Sequence, residues 1–130
     1  MTKHKGILIC SLVILALLIV LAVVFIVNNK APDVKAFEID DYSDIIKEFP
    51  SEENLGSISD AKELVKKAEA LWIKQFGNRV KKEKPYQVFY DEKSGTWLVR
   101  GSLKGTSNGG TANILVENDT GRVLALWHDK

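Results

Sequence analysis

Side chains able to do chemistry are few in this chain. His128 is the only histidine beyond the N-terminal segment, which holds His4. One imidazole cannot assemble a histidine-rich metal site, and no cysteine follows Cys10 to help it. Asp129 makes no dyad with its neighbour, because adjacent strand residues point to opposite faces of a sheet. A His128–carboxylate pair would need a partner from another strand. The glycine-rich stretch 105–110 lacks the Gly-Lys-Ser/Thr ending of a phosphate loop and leads into strand-like sequence. No nucleophile elbow and no dinucleotide fingerprint occurs. The residues point to no catalytic centre, no cofactor and no metal. Trp72, Trp97 and Trp127 read as core, although tryptophan also serves at binding hot spots. The 104–110 loop reads as a flexible connection, or as a partner-binding loop with adaptable Gly, Ser and Asn.

These residues need elements to hold them. Ala61, Leu64, Val65, Ala68, Leu71, Trp72 and Phe76 fall at helical spacing and form one apolar stripe. Asp60 and Glu63 resemble a capping pair before it, and Gly77 suits a left-handed C-cap after it. Beyond Pro85 the pattern changes to strands. Tyr86, Val88 and Tyr90 alternate with polar residues, a turn follows at 92–95, and Thr96 to Leu103 continues with Trp97, Val99 and Leu103 on one face. Gly101 is a candidate bend. Thr111 to Glu117 and Arg122 to His128 flank a tight turn at 118–121. One long helix and two hairpins predict an α+β fold, with the helix packed on a curved antiparallel sheet of about four strands.

Charge is divided unevenly. Residues 31–130 carry 15 basic and 17 acidic side chains, so composition gives no sign of nucleic-acid binding. From Ala31 to Glu53 there are eight acidic residues against Lys35 and Lys47, and from Lys62 to Lys84 eight basic residues against three acidic ones. The plainer reading is a pair of solvated faces. The sharper one is an electrostatic surface for a partner. Within the acidic stretch, Ile39, Tyr42, Ile45, Ile46 and Phe49 recur at helical spacing, and Pro50 ends that short helix.

Residues 7–27 contain no charge, no Gly and no Pro in 21 positions. A hydrocarbon core of roughly 30 Å takes about 20 apolar residues in a helix, so this run is long enough to span. It is also longer than a cleavable signal region and ends in bulky residues, which predicts an uncleaved signal-anchor. Cys10 sits too early in the run for a lipid anchor. Lys3 and Lys5 before the helix nearly balance Lys30 and Lys35 after it. The short charged tail 1–6, like the start of an export signal, favours a cytoplasmic N-terminus and an extracytoplasmic C-terminal domain. The expected organisation is a tail at 1–6, a transmembrane helix at 7–27, a juxtamembrane linker with a short acidic helix at 28–57, and a domain at 58–130.

The order of elements over residues 58–130 resembles the NTF2-fold immunity proteins of bacterial polymorphic toxin systems. The resemblance lies in the helix from Asp60-Ala61 through Trp72 to Phe76-Gly77, and in Lys84-Pro85-Tyr86. It continues through Trp97-Leu98-Val99-Arg100-Gly101 and Gly109-Gly110-Thr111-Ala112 to Gly121-Arg122-Val123 and the strand ending at His128. It implies a cystatin-like cone in which a curved sheet wraps a helix, and a non-enzymatic protein that binds and blocks a cognate toxin. The acidic segment Asp33 to Glu53, the basic helix face and the 104–110 loop are the candidate contact surfaces. No individual toxin-binding residue carries over, and oligomeric state is left open. The alternative is a membrane-anchored accessory or sensory domain that binds a peptide, a cell-wall fragment or an envelope enzyme. An enzyme using a pocket with His128 is weaker still.

Overall fold

The computed structural model describes residues 2–28, 30–105 and 109–130. It divides into two compact units, Met1–Ala31 and Pro32–Lys130.

The first unit is a single helix, α1 (Thr2–Asn28). Its apolar stretch Lys5–Ile26 has 22 residues, which at 1.5 Å per residue measures about 33 Å. That is long and apolar enough to cross a bilayer. The side chains from Ile7 to Ile26 are exposed. The Ser11 hydroxyl donates to the Ile7 carbonyl at 3.0 Å, so this polar group is satisfied within the helix, as a hydrocarbon setting requires.

In the second unit the expected helix is α3 (Ala61–Phe76). Asp60 stands in extended conformation before it, and its carboxylate accepts the Glu63 N–H at 2.8 Å. Gly77 closes it with a φ of 90°, a backbone that side chains other than hydrogen rarely allow. Leu64, Ala68, Leu71 and Trp72 form the buried stripe. Below the stripe lie β2 (Gln87–Asp91), β3 (Thr96–Arg100), β4 (Ala112–Glu117) and β5 (Val123–His128), joined as two antiparallel hairpins. The α+β class and the helix-on-sheet arrangement are therefore present.

The sheet itself differs from expectation. It has five strands in the order β1-β2-β3-β4-β5, and β1 (Val34–Ala36) pairs parallel to β2, Val34 opposite Val88. All three β1 residues are exposed, so they show none of the alternation that marks a half-buried strand. The second hairpin strand also stops at Arg100, before Leu103. Gly101 N–H still donates to the Ala112 carbonyl at 2.9 Å, but Ser102 N–H turns away to the Glu83 carbonyl at 2.7 Å. Leu103 is consequently 58 % exposed and leaves the face on which Trp97 and Val99 lie.

The stretch 28–57, expected as a linker, is built into the compact unit from Pro32 onward. After β1 the chain forms a 3-10 turn (Ile39–Tyr42) and α2 (Ser43–Glu48). Residues 49–55 then run along the outer edge of β5. Pro50 bridges Ala125, Asn54 bridges Arg122, and the Glu53 carbonyl accepts the Val123 N–H at 2.9 Å. This strap crosses one face of the sheet and touches both its edges. It makes a second core: Phe37, Ile39, Tyr42, Ile45, Ile46 and Phe49 pack on Leu98, Leu115, Ala125 and Trp127. The first core lies on the opposite face, where Leu64, Ala68, Leu71 and Trp72 meet Val88, Val99, Ile114 and Val116. With both faces covered, β4 is buried along its first five residues rather than alternately.

Candidate functional site

Three places in the second unit gather polar side chains. The first centres on Glu83, the last residue of a 3-10 segment (Asn78–Glu83) that follows α3. Its Oε1 accepts the Ala112 N–H at 2.7 Å, and its Oε2 stands 3.2 Å from His128 Nε2. His128 Nδ1 lies 2.7 Å from the Asp129 carbonyl oxygen, and the Phe76 ring meets the imidazole edge-on with centroids 5.5 Å apart. The imidazole is thus fixed on both sides. His128 does have a carboxylate partner, but it comes from the 3-10 segment and not from another strand. Gly101 belongs to the same knot, since a Cβ there would fall within 2.8 Å of the Glu83 Cβ. Its glycine answers a close approach by Glu83 at the strand end. An open cleft of about 530 Å³ lies here, with Arg79, Glu83, Gly110, His128 and Lys130 in its walls.

The Asp129 side chain, beside this knot, holds further polar groups. Its carboxylate accepts from Trp127 Nε1 at 3.0 Å and from Asn113 Nδ2 at 3.2 Å. Asn113 is buried and also donates to the Thr111 carbonyl at 2.8 Å. These bonds satisfy groups that burial would otherwise leave costly.

The tryptophans sit in the core. Trp72 is fully buried and its Nε1 donates to the Asn113 carbonyl at 3.4 Å. Trp127 is 6 % exposed and stacks on Phe49 at 6.4 Å. Trp97 is half-buried, donates to Asn118 Oδ1 at 2.8 Å and packs on Tyr90 at 4.4 Å.

The acidic strap is the second place. Glu38, Asp40, Asp41, Asp44 and Glu48 all lie exposed on it, while its apolar residues face the sheet. Asp91 pins the strap to the β2–β3 hairpin. Its carboxylate accepts the Ile39 N–H at 3.1 Å, the Lys93 N–H at 3.0 Å and the Ser94 hydroxyl at 2.9 Å. The Ile39 N–H above all holds that carboxyl below its ordinary value.

The third place is the basic side, α3 with the 3-10 segment. Here the carboxylates are engaged. Glu63 pairs with Lys67 at 2.9 Å and also takes the Ser59 hydroxyl and N–H. The Ser59 hydroxyl first, then Lys67, lower its carboxyl to about 2. Glu69 pairs with Lys84 at 3.1 Å and accepts the Tyr86 hydroxyl at 2.6 Å. Burial works against its charged form, yet Tyr86 and Lys84 prevail and its carboxyl is lowered. Burial and that same carboxylate push the Tyr86 phenol up. Lys66, Lys74, Arg79, Lys81 and Lys82 are exposed.

Among the described residues no three His, Cys, Asp or Glu side chains converge as a metal site. Of the 104–110 loop, residues 106–108 lie outside the described residues. Sequence reasoning missed Glu83, which lies in a lysine-rich run with no periodicity. Its only trace was the interior-looking Gly101.

No curated protein and no solved structure matches the chain. The family described as NTF2 fold immunity protein matches residues 65–130. That match takes in α3 from its second turn, the Glu83–His128 knot and strands β2 to β5, which is half of the chain. The chain belongs to the NTF2 fold immunity protein family.

Proposed function

We propose that this protein is a membrane-anchored immunity protein of a polymorphic toxin system, which binds a cognate toxin and blocks it without catalysis. Family membership over residues 65–130 carries the reading. The division of the unit supports it. The strap, which lies N-terminal to the matched stretch, carries the exposed carboxylates Glu38, Asp40, Asp41, Asp44 and Glu48 on a scaffold fixed by its own core. A toxin with a basic cleft would find there the complementary charge that speeds encounter and sets specificity. Inhibition by occupancy asks only for shape and charge, on a surface already rigid before binding.

In this reading residues 7–27 are an uncleaved signal-anchor, residues 1–6 stay in the cytoplasm and residues 32–130 work outside it, where an incoming toxin is met. Co-expression of the full chain with the toxin encoded beside it tests the function. Cells should survive with the intact chain and die with a variant carrying Asp40→Lys, Asp41→Lys and Asp44→Lys. If the full chain neither binds nor neutralises any such toxin, the immunity reading falls. Protease added to intact spheroplasts should digest residues 32–130, and their protection would reverse the topology.

A further inference from the structure

We propose that the face built by α3, the 3-10 segment 78–83 and the turn 101–105 docks on anionic lipid headgroups, with Leu103 entering the interface. The inference rests on residues 7–27 being a membrane anchor and is independent of toxin binding.

Charge is the first ground. On this face Lys66, Lys74, Arg79, Lys81 and Lys82 are exposed, and Arg79, Lys81 and Lys82 make no ion pair among the described residues. The carboxylates that could offset them are already engaged: Glu63 by Lys67, Glu69 by Lys84 and Tyr86, Glu83 by His128 and the Ala112 N–H. The face therefore presents a positive field to anything anionic, and such fields act on lipid surfaces within about a Debye length.

Leu103 is the second, independent ground. Among the described residues of Pro32–Lys130, it and Val34 are the exposed large hydrophobic side chains, and Leu103 is the more exposed. Its turn is fixed beside the cations, since Ser102 donates its N–H to the Glu83 carbonyl and its hydroxyl to the Pro85 carbonyl. Lys104 follows it and is exposed. An exposed apolar side chain next to a lysine, on a turn held against the lysine-rich 3-10 segment, is the pattern of a surface that sinks to the boundary of headgroup and acyl chain. A tether supplies a high effective concentration, so weak attraction suffices. The acidic strap, on the other face of the sheet, is repelled by the same lipid and stays turned to solvent.

The test uses the full chain with Cys10→Ser and a single new cysteine, Lys104→Cys or, separately, Asp44→Cys, carrying a polarity-sensitive fluorophore. Each is reconstituted into phosphatidylcholine vesicles with or without phosphatidylglycerol. The label at 104 should shift to the blue with phosphatidylglycerol only. It should revert at about 1 M salt, where the Debye length is about 3 Å, and in the Lys81→Glu, Lys82→Glu variant. The label at 44 should not move. Identical spectra in both lipids, or equal shifts at both positions, would overturn the proposal. So would a shift produced by soluble polyglutamate and not by phosphatidylglycerol, which would assign the face to an acidic protein. Chain that washes off the vesicles in alkaline carbonate would instead sink the anchor reading.

Discussion

Glu83 and His128, 45 positions apart, meet at 3.2 Å and fasten the segment after α3 to the last strand. The other Glu83 oxygen holds the first N–H of β4 at 2.7 Å, so one carboxylate serves three elements. Glu83→Ala leaves the Ala112 N–H without a partner and opens the space beside Gly101. A loss of about 1–3 kcal/mol follows from such a stranded donor. His128→Ala removes the half-buried contacts to Glu83, the Asp129 carbonyl and the Phe76 ring but strands no backbone donor, so its loss should be the smaller, about 1 kcal/mol. Urea melts of the two variants check the ranking, and a larger loss in His128→Ala would contradict it.

Gly101→Ala should destabilise by about 1–3 kcal/mol, because the new methyl falls on the Glu83 side chain. The cost is specific to that neighbour. In the Glu83→Gly background, where the Cβ at 2.8 Å is gone as well, the added penalty should shrink, which a double-mutant cycle reads directly. Additive losses would mean that backbone conformation, not the close approach, demands the glycine.

The strap should be required for folding. Phe49→Ala unstacks Trp127 and should cost about 2–3 kcal/mol. A chain beginning at residue 58 uncovers Leu98, Leu115, Ala125 and Trp127. It should bind a hydrophobic dye and melt without a sharp transition, whereas residues 32–130 should melt cooperatively. A sharply melting 58–130 fragment would refute the second core.

Acid should weaken the unit partly through Glu63. Its folded carboxyl is lowered from 4.5 to about 2, chiefly by the Ser59 hydroxyl. The unfolded chain therefore takes up this proton first. The stabilising contribution is whole above about 4.5 and is lost as the pH falls toward about 2. Asp91 and Glu69, also lowered, act in the same direction. The stability gap between the intact chain and Glu63→Gln should narrow across that window. A gap that stays constant with pH would remove Glu63 from the account.

Much of the fold was legible because its signals are local. Asp60, Glu63 and Gly77 bound α3, and the turns before Gly95 and Gly121 mark both hairpins. The strap's short amphipathic stretch was visible from the spacing of Ile39, Tyr42, Ile45, Ile46 and Phe49. What it covers was not, because its partners Leu98, Leu115 and Trp127 lie far along the chain. Parallel pairing of Val34 with Val88 leaves no sequence mark either. The Glu83–His128 contact was illegible for the same reason. A carboxylate chosen by tertiary contact looks, in a run such as Arg79 to Lys84, like one more surface charge.

The strap has one more consequence. A sheet offers its outermost backbone groups to any passing strand. Here one border is sealed by residues 49–55, and the other shows only the three residues of β1, with Lys35 at their centre. So short and charged a ladder gives a neighbouring copy little to zip onto. The same wrap that completes the interior thus guards the molecule against fibre-like self-association.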